Sequence, residues 1–237
     1  DHSIKGGLDY QQNEIYNLFG RTEFGAYTFR GIDNLAAGNY YTFNLYQPAA
    51  GYTLDDVAAQ WTYKQWGAFL QDTWQVTDAL SVQYGFRLDI PKTADQPLYN
   101  AKFEQAFGYA NNNTIDGKKL FQPRVSFNLD LDGERTAQLR GGFGLFMTNP
   151  PTVWMTNPYQ NNGVTLRNYT SFSPATAPFN PDPLNQPIPT GNPGAGSIDV
   201  IDPDFKLPTV WKANLSIDRE TPVWGLVASA EYLHIQV

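Results

Sequence analysis

The sequence contains no cysteine, which removes disulfides and thiolate metal sites from consideration. It has no run of 18 apolar residues, and so no candidate transmembrane helix. Histidine is scarce: His2 and His234 are the two present, and neither has a Ser, Cys or carboxylate at a catalytic spacing. No G-x-S-x-G or H-E-x-x-H motif occurs, so no catalytic residue, metal or cofactor is expected and the chain does not read as an enzyme. Charged residues make up 16 % and the net charge is −7, a balance that disfavours nucleic acid as a partner. The chain starts at Asp1 without a Met, a basic n-region or a signal-peptide core, and is expected to be mature or truncated.

What is present is aromatic residues at 15 %, 20 glycines and 17 prolines, which together suit an all-β chain with long loops. In "ALSVQYGFRLDIP" the residues Leu80, Val82, Tyr84, Phe86, Leu88 and Ile90 alternate with Ser81, Gln83, Gly85, Arg87 and Asp89. Similar period-two stretches are seen at Ile4–Tyr10, Trp66–Val76, Phe121–Leu131, Ala137–Met147, Trp211–Asp218 and Leu226–Tyr232. In the second of these, Lys64 and Asp72 interrupt the apolar phase. The pattern predicts seven antiparallel strands, each with two chemically different faces.

The connections alternate in length. Short turns are expected at Thr77–Ala79, at Asp132-Gly133 and around Pro222. Residues 17–60, 92–120 and 149–206 hold little alternation and much Asn, Gly, Pro and Tyr, and are expected to be long loops. In a meander this puts every long loop at one end and every short turn at the other. Structureless loops beyond about 15 residues are uncommon in compact soluble domains. Membrane β-barrels segregate connections in this way, with short periplasmic turns and long extracellular loops. They also need strands of roughly 9–11 residues with one lipid-facing side, where soluble strands usually run about five or six. A mean hydropathy of −0.43 is compatible with such alternation. Tyr63, Trp66, Trp74, Trp211 and Trp224 are candidates for the interfacial aromatic girdles.

The expected fold is therefore an all-β, antiparallel transmembrane β-barrel segment in outer-membrane lipid. An open seven-stranded sheet leaves two bare edges, and each unsatisfied backbone group in lipid costs several kcal/mol. The chain is accordingly expected to be a piece of a larger barrel, cut within strands at "DHSIKGG" and "EYLHIQV".

At "WGAFLQDTWQVTDALSVQYGFRLDIP" the chain resembles TonB-dependent outer-membrane receptors, through Phe69, Gln71, Asp72, Trp74, Leu80, Tyr84, Gly85, Arg87 and Asp89. A second block, "FQPRVSFNLDLDGERTAQLRGGFGLFM", is similar to the Oar-like branch, whose receptors carry a carboxypeptidase-regulatory-like N-terminal domain. "HSIKGGLDY", "YTFRGIDNLAAG" and "LPTVWKANLSIDRE" followed by "ASAEYLH" resemble the same branch. The resemblance covers roughly residues 1–150 and 205–237. It implies a 22-stranded barrel in a Gram-negative outer membrane, plugged by a globular domain and driven through a TonB box by the inner-membrane TonB complex. Plug and TonB box are absent from this chain; its implied partners are lipid and the remainder of the same receptor.

Other motifs read more plainly. "LDLDGE" is a hairpin turn with solvated charges, "YTLDDVAA" a helix start, and the glycines of "RGGFGLF" sites of bending or close approach within a strand. Aromatic loop residues Trp154, Tyr159, Tyr40, Tyr41, Phe43 and Tyr46, set among Asn and Pro, are the candidates for ligand contact, since rings beside amides suit sugars, peptides or other amphipathic solutes. The expected function is uptake of a scarce solute such as a peptide, glycan or metal chelate. The alternatives are a passive porin or adhesin barrel, and a soluble β-rich glycan-binding or glycan-cleaving domain.

Overall fold

The computed structural model describes residues 1–148 and 150–237; Asn149, where the third long loop was expected to begin, lies outside the described residues. In chain order the elements are β1 (His2–Asn17), β2 (Ala26–Thr28), α1 (Ile32–Ala36), β3 (Thr42–Pro48), α2 (Leu54–Val57), β4 (Ala59–Gln75), β5 (Leu80–Lys92), α3 (Ala101–Phe107), β6 (Leu120–Asp130), β7 (Ala137–Met147), α4 (Thr152–Gln160), β8 (Leu166–Ser171), β9 (Gly194–Ala195), β10 (Thr209–Glu220) and β11 (Val227–Gln236).

The long strands form one seven-stranded antiparallel meander in the order β1-β4-β5-β6-β7-β10-β11. The shortest of them, β11, has 10 residues and the longest, β4, has 17, so every one can cross a bilayer core. Among the described residues β1 and β11 do not pair with each other, and the sheet is open. We call this sheet the wall.

Register keeps the two faces of the wall distinct. One cross-strand row runs Leu8, Ala68, Leu88, Phe121, and the neighbouring row runs Asp9, Gly67, Asp89, Leu120. The apolar outer face lies uncovered, with Leu8 84 % and Ile4 72 % exposed. A soluble antiparallel sheet packs its apolar face on a core. Here, among the described residues, the buried apolar side chains that belong to the wall are Ala59 and Trp61 at the loop end of β4, Pro91 at the loop end of β5 and Ala137 at the start of β7.

The hydrophobic core lies instead among the long connections at one end. These stretches show little alternation, yet they hold a second sheet, β2-β3-β8-β9. Its strands are short, and β3 of the first connection pairs with β8 of the third. Aromatic packing sustains it: Tyr40, Phe43, Leu45 and Ala177 are buried, with Tyr27, Phe29, Tyr169 and Phe179 against them. A second cluster joins Ala59 and Trp61 of β4 to Ile115 of the middle connection and to Met155, Tyr159 and Ile201 of the third. All three connections thus fold into one cap.

Buried amides close the cap where strands cannot. Asn100 starts α3 by accepting from the amides of Lys102 (3.1 Å) and Phe103 (3.2 Å), and Gly108 ends that helix in the left-handed region. The Asn100 side chain also donates to the Asn162 carbonyl (3.0 Å), joining the middle and third connections. The four-residue helix α2 begins with a Thr53–Asp56 capping box, as the helix start expected there requires.

Candidate functional site

The inner face of the wall is polar and cross-linked. Arg87 on β5 is its hub. Its guanidinium meets both oxygens of Asp9 on β1 (2.8 and 3.0 Å) and both of Asp89 (2.8 and 2.7 Å). Asp89 is 2 % exposed and accepts further hydrogen bonds from Gln65 (3.0 Å) and Gln122 (2.5 Å). Four donors around one buried carboxylate satisfy its lone pairs, which is what a buried charge requires.

Arg87 must reach over β4 to meet Asp9. Gly67 on β4 pairs with Asp9 on one side and Asp89 on the other and lies diagonal to Arg87, and a Cβ there would collide with both the guanidinium and the Asp9 carboxylate. Gly85 has a different reason: its backbone lies against β4, with a Cβ position only 2.7 Å from Gln71 Cα. Further along, Arg140 pairs with Asp218 (2.8 Å) and Asn214 donates to Glu231 (2.9 Å). The inner face also carries a concavity of about 620 Å³, lined by Arg124, Gly142, Gly144, Phe146, Lys212 and Asn214 among others.

The outer face carries a polar cluster near the short-turn end. Asp72, which breaks the apolar phase of β4, is shielded by His2 (Nδ1 to Oδ2, 2.6 Å) and accepts from the Tyr84 hydroxyl (2.8 Å). His2 stacks on Trp74 at 5.5 Å. The carboxylate partner of His2 lies 70 residues away in sequence, so spacing alone does not show it. Trp66, Trp74 and Trp211 stand on the outer face, where Trp66 packs on Tyr10 and Trp211 on Phe143. Tyr63 is a correction: it shares the inner phase of β4 and packs edge-on against Trp61.

Residues 1–233 match the family model of the outer membrane beta barrel domain. The chain belongs to that family. Comparison with curated proteins and with solved structures gave no match. As an outer-membrane barrel domain, the chain sets its apolar outer face against lipid and its polar face inward. A soluble glycan-binding domain is thereby set aside.

The cap of the barrel domain holds the six aromatic residues singled out for ligand contact, and they part company. Phe43 is fully buried and stacks on Tyr27 at 4.2 Å. Tyr40 is buried too, with its hydroxyl bonded to Ser171 Oγ (2.8 Å) and to the carbonyls of Ser173 and Ala177. Tyr159 is buried against Trp61 at 5.1 Å and donates to the Asp95 carbonyl (2.9 Å). These three hold the cap together and are corrected from ligand contacts to core, because their apolar area is spent inside. Tyr46 is half-buried in β3. Tyr41 (46 % exposed, under the Arg30 guanidinium at 3.6 Å) and Trp154 (63 % exposed on α4) remain open to a solute.

Outside the spanning strands the largest pKa shifts fall on Tyr159 and Asp132. Burial pushes the Tyr159 phenol up to about 12. In the turn between β6 and β7 the Thr136 hydroxyl, helped by the amides of Glu134 and Thr136, holds Asp132 down to about 2. That turn is the solvated hairpin expected of "LDLDGE", with Asp130 accepting from the amides of Asp132 and Gly133.

Proposed function

We propose that this domain is part of the wall and external cap of a TonB-dependent receptor, which takes up a scarce solute such as a peptide, glycan or metal chelate. One observation carries this reading. The residues of the receptor-like block are those that lock β1, β4 and β5 together. Asp72, Trp74 and Tyr84 belong to the outer cluster, Gly85 allows the close approach to Gln71, and Arg87 and Asp89 form the inner clasp. A motif whose members interlock physically is a stronger link to its family than one scattered over unrelated places.

Two further features support the reading. Both edges of the wall expose unpaired backbone, which lipid does not tolerate, so more strands must flank it. Large barrels of about 22 strands with a plugged lumen are the transporter form of this architecture. The cap, folded around its own core, offers Trp154 and Tyr41 to the outside. By resemblance, the solute binds at the cap end. The TonB complex then displaces a plug carried elsewhere in the polypeptide, and the solute passes along the polar wall. No residue of this chain performs covalent chemistry in that scheme.

The test is the mass of the native polypeptide extracted from the outer membrane, joined to its conductance in a planar bilayer. A mass several times 26.6 kDa, with a globular segment preceding the barrel and a closed bilayer, is the expected result. A barrel without such a segment that conducts ions steadily would overturn the receptor in favour of a passive porin.

A further inference from the structure

The inner face pairs its charges economically. Arg87 is held by two carboxylates and Arg140 by one. Arg124 and Lys212 differ: among the described residues neither has a carboxylate within 4.0 Å. They are also not independent of each other. Arg124 on β6 faces Gly144 on β7, and Gly144 faces Lys212 on β10, so the two cations flank a glycine in one cross-strand row.

The space between them is built. Gly144 has no side chain to fill it, and a Cβ there would press on Arg124 Cγ at 3.0 Å and on Phe146 at 3.2 Å. Phe146, the next inward residue of β7, anchors both cations: the Arg124 guanidinium lies 4.4 Å and the Lys212 ammonium 5.5 Å from its ring centre. Such contacts hold a cation in place without neutralising it. Among the described residues the guanidinium has one side-chain acceptor, Gln122 Oε1 at 3.3 Å, which leaves most of its N–H groups for a ligand. The next row supplies Ser126, Gly142 and Asn214. All of these line the 620 Å³ concavity. Glu231 also lines it, but Asn214 engages that carboxylate (2.9 Å).

We propose that the Arg124–Gly144–Lys212 row is a binding site for an oxyanion, a phosphate or carboxylate group of a solute in the lumen. Guanidinium and ammonium groups flanking a glycine gap match the charge of such a group, with Arg124 donating a fork and Lys212 a point charge. The inference needs the barrel and its polar inner face, not the TonB coupling. A porin would use the same site to favour anions.

The test uses the full-length protein in detergent at low ionic strength, with inorganic phosphate and citrate as probes in equilibrium dialysis. One site per chain is expected for at least one probe, weakened about tenfold or more by Arg124→Gln and by Lys212→Gln, and weakened further by added salt. Arg140→Gln, which removes a guanidinium already paired with Asp218, should leave binding unchanged. Gly144→Val keeps both charges but fills the gap, and should abolish binding in protein that still shows a folded barrel's gel mobility. Absence of binding for both probes, or binding that survives the folded Arg124→Gln/Lys212→Gln double variant, would overturn the proposal. Loss of anion binding with uptake still energised would leave the receptor reading standing; intact binding in an unplugged, conducting barrel would leave this site standing and remove the receptor.

Discussion

The wall and the cap solve the folding problem in opposite ways. The wall has almost no buried apolar side chain; its apolar residues point to lipid and its inner face is tied by hydrogen bonds and ion pairs. The cap buries its aromatics as a soluble protein does, around Phe43 and Leu45 and around Trp61 and Tyr159. The difference teaches that "hydrophobic inside" is a statement about solvent. Where lipid is the solvent, specificity has to come from polar cross-links, and the wall concentrates them on Arg87.

The strongest way to break the comparison is therefore to remove a polar group from the wall and an apolar one from the cap. Arg87→Met leaves the buried Asp89 carboxylate without its cation and should destabilise the wall by about 3–5 kcal/mol. Urea unfolding in bilayers, followed by tryptophan fluorescence, would read this. Phe43→Ala should cost a similar ~3–5 kcal/mol, but in the cap alone. Proteolysis should then cut within residues 18–58 while the β-sheet circular dichroism of the wall persists. If both variants unfold everything together, wall and cap are one cooperative unit and the contrast fails.

A smaller effect sharpens the two faces of one strand. Phe86→Lys on the outer face should cost about 2–4 kcal/mol if it lies near the bilayer midplane, whereas Gln83→Lys on the inner face should cost little. Equal costs in the same unfolding assay would contradict the assigned facing.

The alternation made the wall legible in the sequence, since period two marks a two-faced strand whatever its partner. The turns at Thr77–Ala79 and Asp132-Gly133 were legible from their own chemistry. What sequence could not show is which residues meet across strands. His2 and Asp72 are 70 residues apart, and Tyr40 and Ser171 are 131 apart. Arg124 and Lys212 were visible as members of the polar face, but the gap between them exists only once register sets Gly144 in the middle. The β2-β3-β8-β9 sheet escaped notice because its strands are too short to alternate and because aromatic contacts, not periodicity, support it. For the same reason Tyr40, Phe43 and Tyr159 looked like ligand residues: an aromatic in a loop carries no mark of whether it faces a solute or another loop.

Titration separates the regions more finely. Tyr159 in the cap has a phenol raised to about 12, against about 10 in an unfolded chain. A raised folded value means that its contribution is complete below about pH 10 and is lost as pH climbs toward 12. Tyrosinate absorbance should show a late-titrating component that shrinks by one group in Tyr159→Phe, which should also lose about 1 kcal/mol with the bond to Asp95. The smallest effect belongs to the turn. Asp132 is depressed to about 2, against about 3.9 unfolded, so its contribution is present above about pH 4 and fades as pH falls toward 2. Thr136→Val removes the main cause, and carboxyl NMR should then find Asp132 titrating nearer its ordinary value.

The pairing of β3 with β8 reaches beyond stability. Two stretches of gene separated by most of the wall are joined as one inherited surface. An antibody or phage that grips this surface touches both at once, and a change that evades it in the first stretch must be accommodated by the second. Loops of this barrel cannot be exchanged singly, as they can where each loop folds alone; the cap diversifies as a unit or not at all.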